Sequence, residues 1–169
     1  DDLLKSGYLI SKVIESLEKH NEGHCLVFLP GSNEVDDALR QFTKEACTEW
    51  VGLPLYGSLP PEEQSKVLNF DDCDGTLRMV VFCTNIAETS LTVPNVRVVI
   101  DTGLAKEARY DPKRRMTVLE LVYISRSSAE QRKGRAGRTA PGHCIRLYNC
   151  EWLTRDHITP EILRSSLDL

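Results

Sequence analysis

The sequence is short of nearly everything that lets a soluble chain catalyse a reaction on its own. No GxxxxGK string followed by Ser or Thr occurs in its 169 residues, so it holds no phosphate-cradling loop and no lysine set for β- and γ-phosphates. Six cysteines, Cys25, Cys47, Cys73, Cys83, Cys144 and Cys150, are scattered without a CxxC pair or a histidine at ligand spacing, which argues against the common zinc frameworks. Cys25, Cys83 and Cys144 fall in apolar runs, where a free thiol behaves as a small hydrophobe; a reducing, intracellular setting in cytoplasm or nucleus follows. The four histidines, His20, His24, His143 and His157, lie in different segments and suggest no constellation, so they read as structural. With no cluster of nucleophile, base or metal ligands, a small-molecule enzyme is disfavoured. The longest apolar runs, such as Met79–Cys83, are far too short to cross a bilayer, and no basic-then-apolar segment opens the chain. A soluble protein with no membrane partner is expected.

What is present fits one globular domain: 41% of residues are hydrophobic and 27% charged, enough for a core without signs of disorder. The formal charge of −4 is unevenly placed. Residues 105–138 hold ten Lys/Arg and four Asp/Glu, a local +6 against −10 for the rest, so one face should attract anions. A whole-chain pI near 5.6 argues against wrapping duplex DNA through bulk charge, and any nucleic-acid contact must be local.

Helical and strand patterns alternate along the chain. From Leu3 to Glu18, apolar residues at Leu9, Ile10, Val13, Ile14 and Leu17 have the spacing of a helix packed on one side. Cys25–Leu29 reads as a buried strand. Ser32 is placed to cap a helix with Val35, Ala38, Leu39 and Phe42 inward, Leu53–Tyr56 as a strand, and Pro60-Pro61-Glu62 opens another helix. Arg78–Cys83, Val96–Ile100 and His143–Leu147 complete the strands. Strands without polar alternation, separated by helices, indicate an α/β fold with a mostly parallel sheet covered on both faces. In such sheets ligands bind at the carboxyl ends of strands. Pro30-Gly31-Ser32, Thr84-Asn85 and Asp101-Thr102-Gly103 all follow strands, so they should gather at one edge. Ala105–Tyr110 and Val118–Ile124 flank turn chemistry in Asp111-Pro112 and predict a β-hairpin with a basic tip, Lys113, Arg114 and Arg115. A solvated turn and a phosphate contact suit that tip equally well.

The densest signal is Gln131-Arg132-Lys133-Gly134-Arg135-Ala136-Gly137-Arg138. Ser127-Ser128-Ala129-Glu130 before it has the spacing of a capping box, with Ser127 as the cap. On the helix this starts, Gln131, Arg135 and Arg138 stand at i, i+4 and i+7 and share one face. Gly134 and Gly137 would each cost about 1 kcal/mol relative to alanine inside a helix. That loss makes sense where another backbone or a ligand comes close, and the run looks built to hold phosphate.

This octapeptide resembles motif VI of superfamily 2 helicases in the form typical of DEAH-box (DEAH/RHA) RNA helicases. Thr84-Asn85-Ile86-Ala87-Glu88-Thr89-Ser90-Leu91-Thr92 is similar to that family's motif V, and Leu26–Gly31 to its motif IV. Leu55–Pro60 and Val99–Gly103 match the segments between and after them, in family order, over about residues 20–149. The resemblance implies a RecA-like fold, the second such domain of a longer RNA-dependent ATPase, over residues 1–155, with a hairpin projecting beside the nucleic acid. Residues 156–169, with Thr159–Arg164 the lead, would begin the connection to a winged-helix domain. It further implies that Arg135 and Arg138 approach the γ-phosphate of ATP as arginine fingers while Gln131 orients a phosphate oxygen or the attacking water. Thr84 and Asn85 would hold the RNA backbone, joined by Gly31 and the hairpin tip. Ser90 would sense the nucleotide and Asp101 would lie near its ribose. Family members often stack an aromatic on adenine after the Leu-Pro-Pro helix start; Leu68 stands there here, leaving Phe70 as the candidate. Pro30 replaces the family's usual small polar residue. No Asp-Glu-x-His string occurs, so ATP and its Mg2+ would be held mainly by a first RecA-like domain, and this chain alone, a monomer, would be inactive. Its partners would be that domain, the winged helix and RNA, taken to be single-stranded. The rival reading is a non-catalytic RNA-binding or scaffolding module on the same fold, with RNA affinity indifferent to ATP.

Overall fold

Strands that are apolar on both sides need cover on both faces, and the computed structural model, which describes residues 7–45, 49–70, 77–137 and 141–156, supplies it. Five strands, β1 (His24–Phe28), β2 (Trp50–Leu55), β3 (Arg78–Cys83), β4 (Val96–Asp101) and β7 (His143–Arg146), form one sheet in the order β2-β3-β1-β4-β7. Every neighbouring pair is parallel. Helices α1 (Tyr8–Lys19) and α2 (Ser32–Glu45) cover one face, where Leu9, Val13, Leu17, Val35 and Phe42 meet Val27, Val80, Phe82, Val98 and Ile100. The other face carries Leu26, Phe28, Met79, Val81, Cys83 and Val99. They pack under Val67 of α3 (Pro61–Leu68), Ala87 of the single turn α4 (Ile86–Thr89), and Ala136 just past α5 (Arg126–Gly134). Val27 and Leu26 thus point oppositely, as the two-residue period of a strand requires. Strands β5 (Leu104–Asp111) and β6 (Met116–Tyr123) form a separate antiparallel hairpin, in register from Leu104 opposite Tyr123 to Asp111 opposite Met116.

The α/β class, the mostly parallel sheet and the hairpin are therefore as the sequence implies, with local corrections. Strand β2 begins at Trp50, three residues before the expected Leu53. Gly52 and Pro54 weaken the strand signal, but β2 is an edge, where proline's missing amide proton costs no ladder bond, and Trp50 stacks on Phe42 with ring centroids 6.3 Å apart. Ser32 is the first residue of α2. The cap of α5 is Ser125, not Ser127: its Oγ accepts from Ser128 N at 3.2 Å. The Ser127 amide instead donates to the Asp156 carbonyl at 3.0 Å, and Glu130 pairs with Arg146 at 3.2 Å. A chain segment arriving from elsewhere therefore does what the local box was expected to do.

Two histidines far apart in sequence do meet. His20, after α1, stacks on His143 at the start of β7 with centroids 3.8 Å apart. Partial burial and the neighbouring His143 lower the His20 pKa from its ordinary value. His24 is structural, accepting from Met79 N at Nδ1. Cys25 and Cys83 are fully buried, and burial pushes the Cys25 thiol up to about 12. Cys144 is partly buried and Cys150 exposed, whereas Cys47, Cys73 and His157 lie outside the described residues.

Candidate functional site

The strand ends that carry polar strings do gather at one edge, and backbone bonds tie them past the end of the ladder. Leu29 N donates to Cys83 O at 2.7 Å, Thr84 N to Leu55 O at 3.2 Å, and Leu147 N to Asp101 O at 3.0 Å. Gly31, after β1, gives its carbonyl to Val35 N at 3.0 Å and so starts α2. Thr84 and Asn85 lead straight from β3 into α4, with Thr84 partly exposed and Asn85 exposed. Ser90, directly after α4, is also exposed. Among the described residues, no side-chain hydrogen bond occupies Thr84, Asn85 or Ser90.

Beneath that edge lies a buried charge cluster. Arg132, in the last turn of α5, is 0% exposed, Asp101 0% and Glu88 6%. The guanidinium fork spreads over three elements: Nε donates to Glu88 Oε1 at 2.8 Å, Nη1 to Asp101 Oδ1 at 2.7 Å, and Nη2 to the Leu104 carbonyl at 3.4 Å. Its plane sits 4.8 Å from the centre of the Phe28 ring. Burial alone would lower the Arg132 pKa, but the charges of Asp101 and Glu88 outweigh it and the net direction is up. One cation faces two carboxylates, so the second negative charge needs other donors. Asp101 has them: Gly103 N at 2.8 Å on Oδ1 and the Tyr148 hydroxyl at 2.8 Å on Oδ2. Burial, and after it the Asp101 charge, pushes the Tyr148 hydroxyl well above its ordinary value, which keeps it a donor. Gly103 is required here, since its φ is +75° and a Cβ would fall 2.5 Å from the Tyr148 ring.

This arrangement corrects one expectation. Both carboxylate oxygens of Asp101 are committed to the fold and the residue is fully buried, so it presents no oxygen to a ribose. Arg132, which the sequence reading passed over inside its own motif, is the residue that joins the runs 84–92, 99–103 and 131–138.

The expected phosphate-facing residues sit at the end of the same helix. Gln131 is exposed, and Arg135, at the C-cap, is partly buried. The helix stops at Gly134, so the regular spacing to i+7 is not continued, and Arg138 lies outside the described residues. Among the described residues nothing stands within 4 Å of a Cβ built on Gly134 or Gly137, so no neighbouring backbone explains these glycines. Elsewhere, Lys113, Arg114 and Arg115 are exposed at the hairpin tip, distant in sequence from the strand-end group. Asp111 Oδ1 accepts from Lys113 N at 3.0 Å to close that turn, and Arg115 takes a left-handed φ of 53°. Phe70 is not at the strand-end edge: its partly buried ring stands edge-on to His24, at the start of β1, with centroids 5.5 Å apart.

The start of α5 is held from the hairpin side. Arg155 N–H groups donate to both Glu107 oxygens at 3.1 and 2.9 Å and to the Tyr123 carbonyl at 2.7 Å. Its own carbonyl accepts from Arg126 N at 2.7 Å. One residue thus fixes β5, β6 and the first turn of α5 together.

Comparison with known proteins agrees with the fold. The model of the helicase conserved C-terminal domain matches residues 8–140. Arabidopsis thaliana "ATP-dependent RNA helicase DEAH11, chloroplastic" is 44% identical over 144 residues, covering 85% of this chain and 8% of the relative. Human "Probable ATP-dependent RNA helicase DHX34" is 41% identical over 165 residues, covering 93% and 14%. The "ATP-dependent RNA helicase HrpA homolog" of Haemophilus influenzae is 39% identical over 160 residues, covering 94% and 12%. The crystal structure of the Escherichia coli DExH-box NTPase HrpB superposes with a TM-score of 0.79 at 34% identity, covering 90% of this chain and 19% of that one. The architecture is RecA-like, and the chain spans only 8% to 14% of the length of these curated relatives.

Proposed function

The chain belongs to the helicase conserved C-terminal domain family, in its DEAH-box RNA helicase branch, and from that premise we propose that it is the second RecA-like half of an ATP-dependent RNA motor. The observation that carries the reading is the end of α5, where Gln131 and Arg135 stand one turn apart on a helix locked through Arg132 to the strand-end edge. A guanidinium fork and an amide donor there suit the oxygens of a triphosphate. In this reading the magnesium that accompanies ATP would be held mainly by a first RecA-like half.

In this reading Arg135, together with Arg138, neutralises charge that develops on the γ-phosphoryl group, and Gln131 orients an oxygen or the attacking water. Transfer of that group depends mainly on positioning and charge, and an inserted arginine is worth about 10³ to 10⁵ in rate. Ser90 reports the nucleotide to the strand-end edge. Thr84, Asn85 and Gly31 hold phosphates of single-stranded RNA, where small hydroxyls, amides and backbone groups at strand ends position a chain without reading its sequence. The tip residues Lys113, Arg114 and Arg115 add charge beside it. A winged-helix domain would follow the region of Arg155.

The test is ATP hydrolysis by the full-length protein with and without single-stranded RNA, beside its Arg135→Ala and Arg138→Ala variants. RNA-stimulated turnover that falls by about 10³ in each variant supports the motor. No turnover with RNA binding retained would overturn it in favour of a scaffold.

A further inference from the structure

We propose that the buried Glu88–Arg132–Asp101 cluster couples RNA contact at Thr84 and Asn85 to the placement of Arg135, with Arg132 as the positioning residue and Glu88 as the adjustable arm. The proposal rests on the motor reading above. Its first ground is spacing. Glu88 stands four residues after Thr84 and two before Ser90, and Arg132 one after Gln131 and three before Arg135. Each end of the 2.8 Å bond between Arg132 Nε and Glu88 Oε1 is thus about one turn from a ligand-facing residue.

The second ground is that α4 is a single turn of four residues, from Ile86 to Thr89. A helix this short has no stability of its own, so contacts outside it decide where it sits. Its buried contacts are Ala87 in the core and the Glu88 carboxylate on Arg132. Whatever moves Thr84 and Asn85 therefore moves a group bonded directly to α5.

The third ground is energetic. Burying an ion pair contributes little to stability compared with apolar residues of the same size, whereas the fixed guanidinium fork sets orientation. The two arms are unequal. Asp101 is held by Gly103 N and the Tyr148 hydroxyl as well as by Arg132, but Glu88 Oε1 has Arg132 Nε as its bonded partner. The Asp101 arm anchors Arg132 to the sheet, and the Glu88 arm transmits. Removing the Glu88 charge still leaves Arg132 neutralised by Asp101 at 2.7 Å, so Glu88→Gln should fold.

The experiment uses full-length protein, wild type against Glu88→Gln, with two readouts. One is turnover with a saturating oligouridylate over turnover without it; the other is oligouridylate affinity with and without ADP–beryllium fluoride. We expect thermal stability and RNA-free turnover close to wild type, RNA stimulation reduced at least about fivefold, and the nucleotide-dependent change in RNA affinity reduced in step. Glu88→Asp, which keeps the charge but draws it back by one methylene, should show the same loss in smaller measure and serves where Glu88→Gln does not fold. Unchanged stimulation and unchanged nucleotide dependence would overturn the proposal. So would RNA-free and RNA-stimulated rates that fall in proportion with the melting temperature, since that marks a purely structural pair. Wild-type turnover indifferent to RNA would sink the motor reading, and this inference with it.

Discussion

Arg132 and Arg135 are three residues apart and chemically identical, yet the structure gives them opposite predictions. Arg132→Ala leaves Glu88 and Asp101 buried without their cation, and breaking a buried pair from one side costs about 3–5 kcal/mol. Arg135→Ala, at a partly exposed C-cap, should change stability by less than about 1 kcal/mol. Urea denaturation of the two variants checks both. Nothing in the local sequence separates them, because a run of alternating basic residues does not say which side chain turns inward. Burial of Arg132 depends on two carboxylates that arrive from 44 and 31 residues away. For the same reason Asp101 was legible as a strand-end carboxylate but not as one consumed by the fold. The His20–His143 stack is likewise invisible until the start of β7 is placed beside the end of α1. Because the His20 pKa is lowered in the folded state, the unfolded chain binds its proton first. Stability from this group is present above the ordinary histidine value and declines as pH falls through the lowered one. Melting temperatures measured downward from pH 7.5 should fall across that range, and less so in His143→Asn.

At the level of elements, the helix and strand order was readable wherever burial imposes a period. Val35, Ala38 and Phe42 in α2, and the unbroken apolar runs of β1, β3 and β4, needed no tertiary knowledge. Element edges were less readable. The start of α5 is set by Ser125 and by carbonyls of Arg155 and Asp156, which outcompete the local Ser127–Glu130 pattern. The hairpin was legible from its turn chemistry, and its attachment through Arg155 was not. Its tip yields a prediction at this scale. If Lys113, Arg114 and Arg115 face phosphates, changing all three to Ala should weaken binding of single-stranded RNA alike for every sequence. It should also flatten the plot of log affinity against log salt by about 2, near 0.7 for each lost contact. Titrations by fluorescence anisotropy at several salt concentrations measure this, and an unchanged slope would make the tip an ordinary solvated turn.

For the molecule as a whole, the uneven charge gains a physical meaning once the chain is folded. Within the basic run, residues 105–134 lie in the hairpin and α5, while the acidic remainder lies mostly in the elements around them. A chain of net charge −4 can in this way carry a local concentration of cationic side chains without being basic over its whole exterior. If α5 brings a cation to a phosphoryl group held by another domain, single-turnover cleavage of ATP by the full-length protein at saturating RNA should separate wild type from Arg135→Ala. The expected result is ATP affinity within about tenfold of wild type and a cleavage step slower by about 10³. A cleavage step that runs at the wild-type rate in the variant would contradict it.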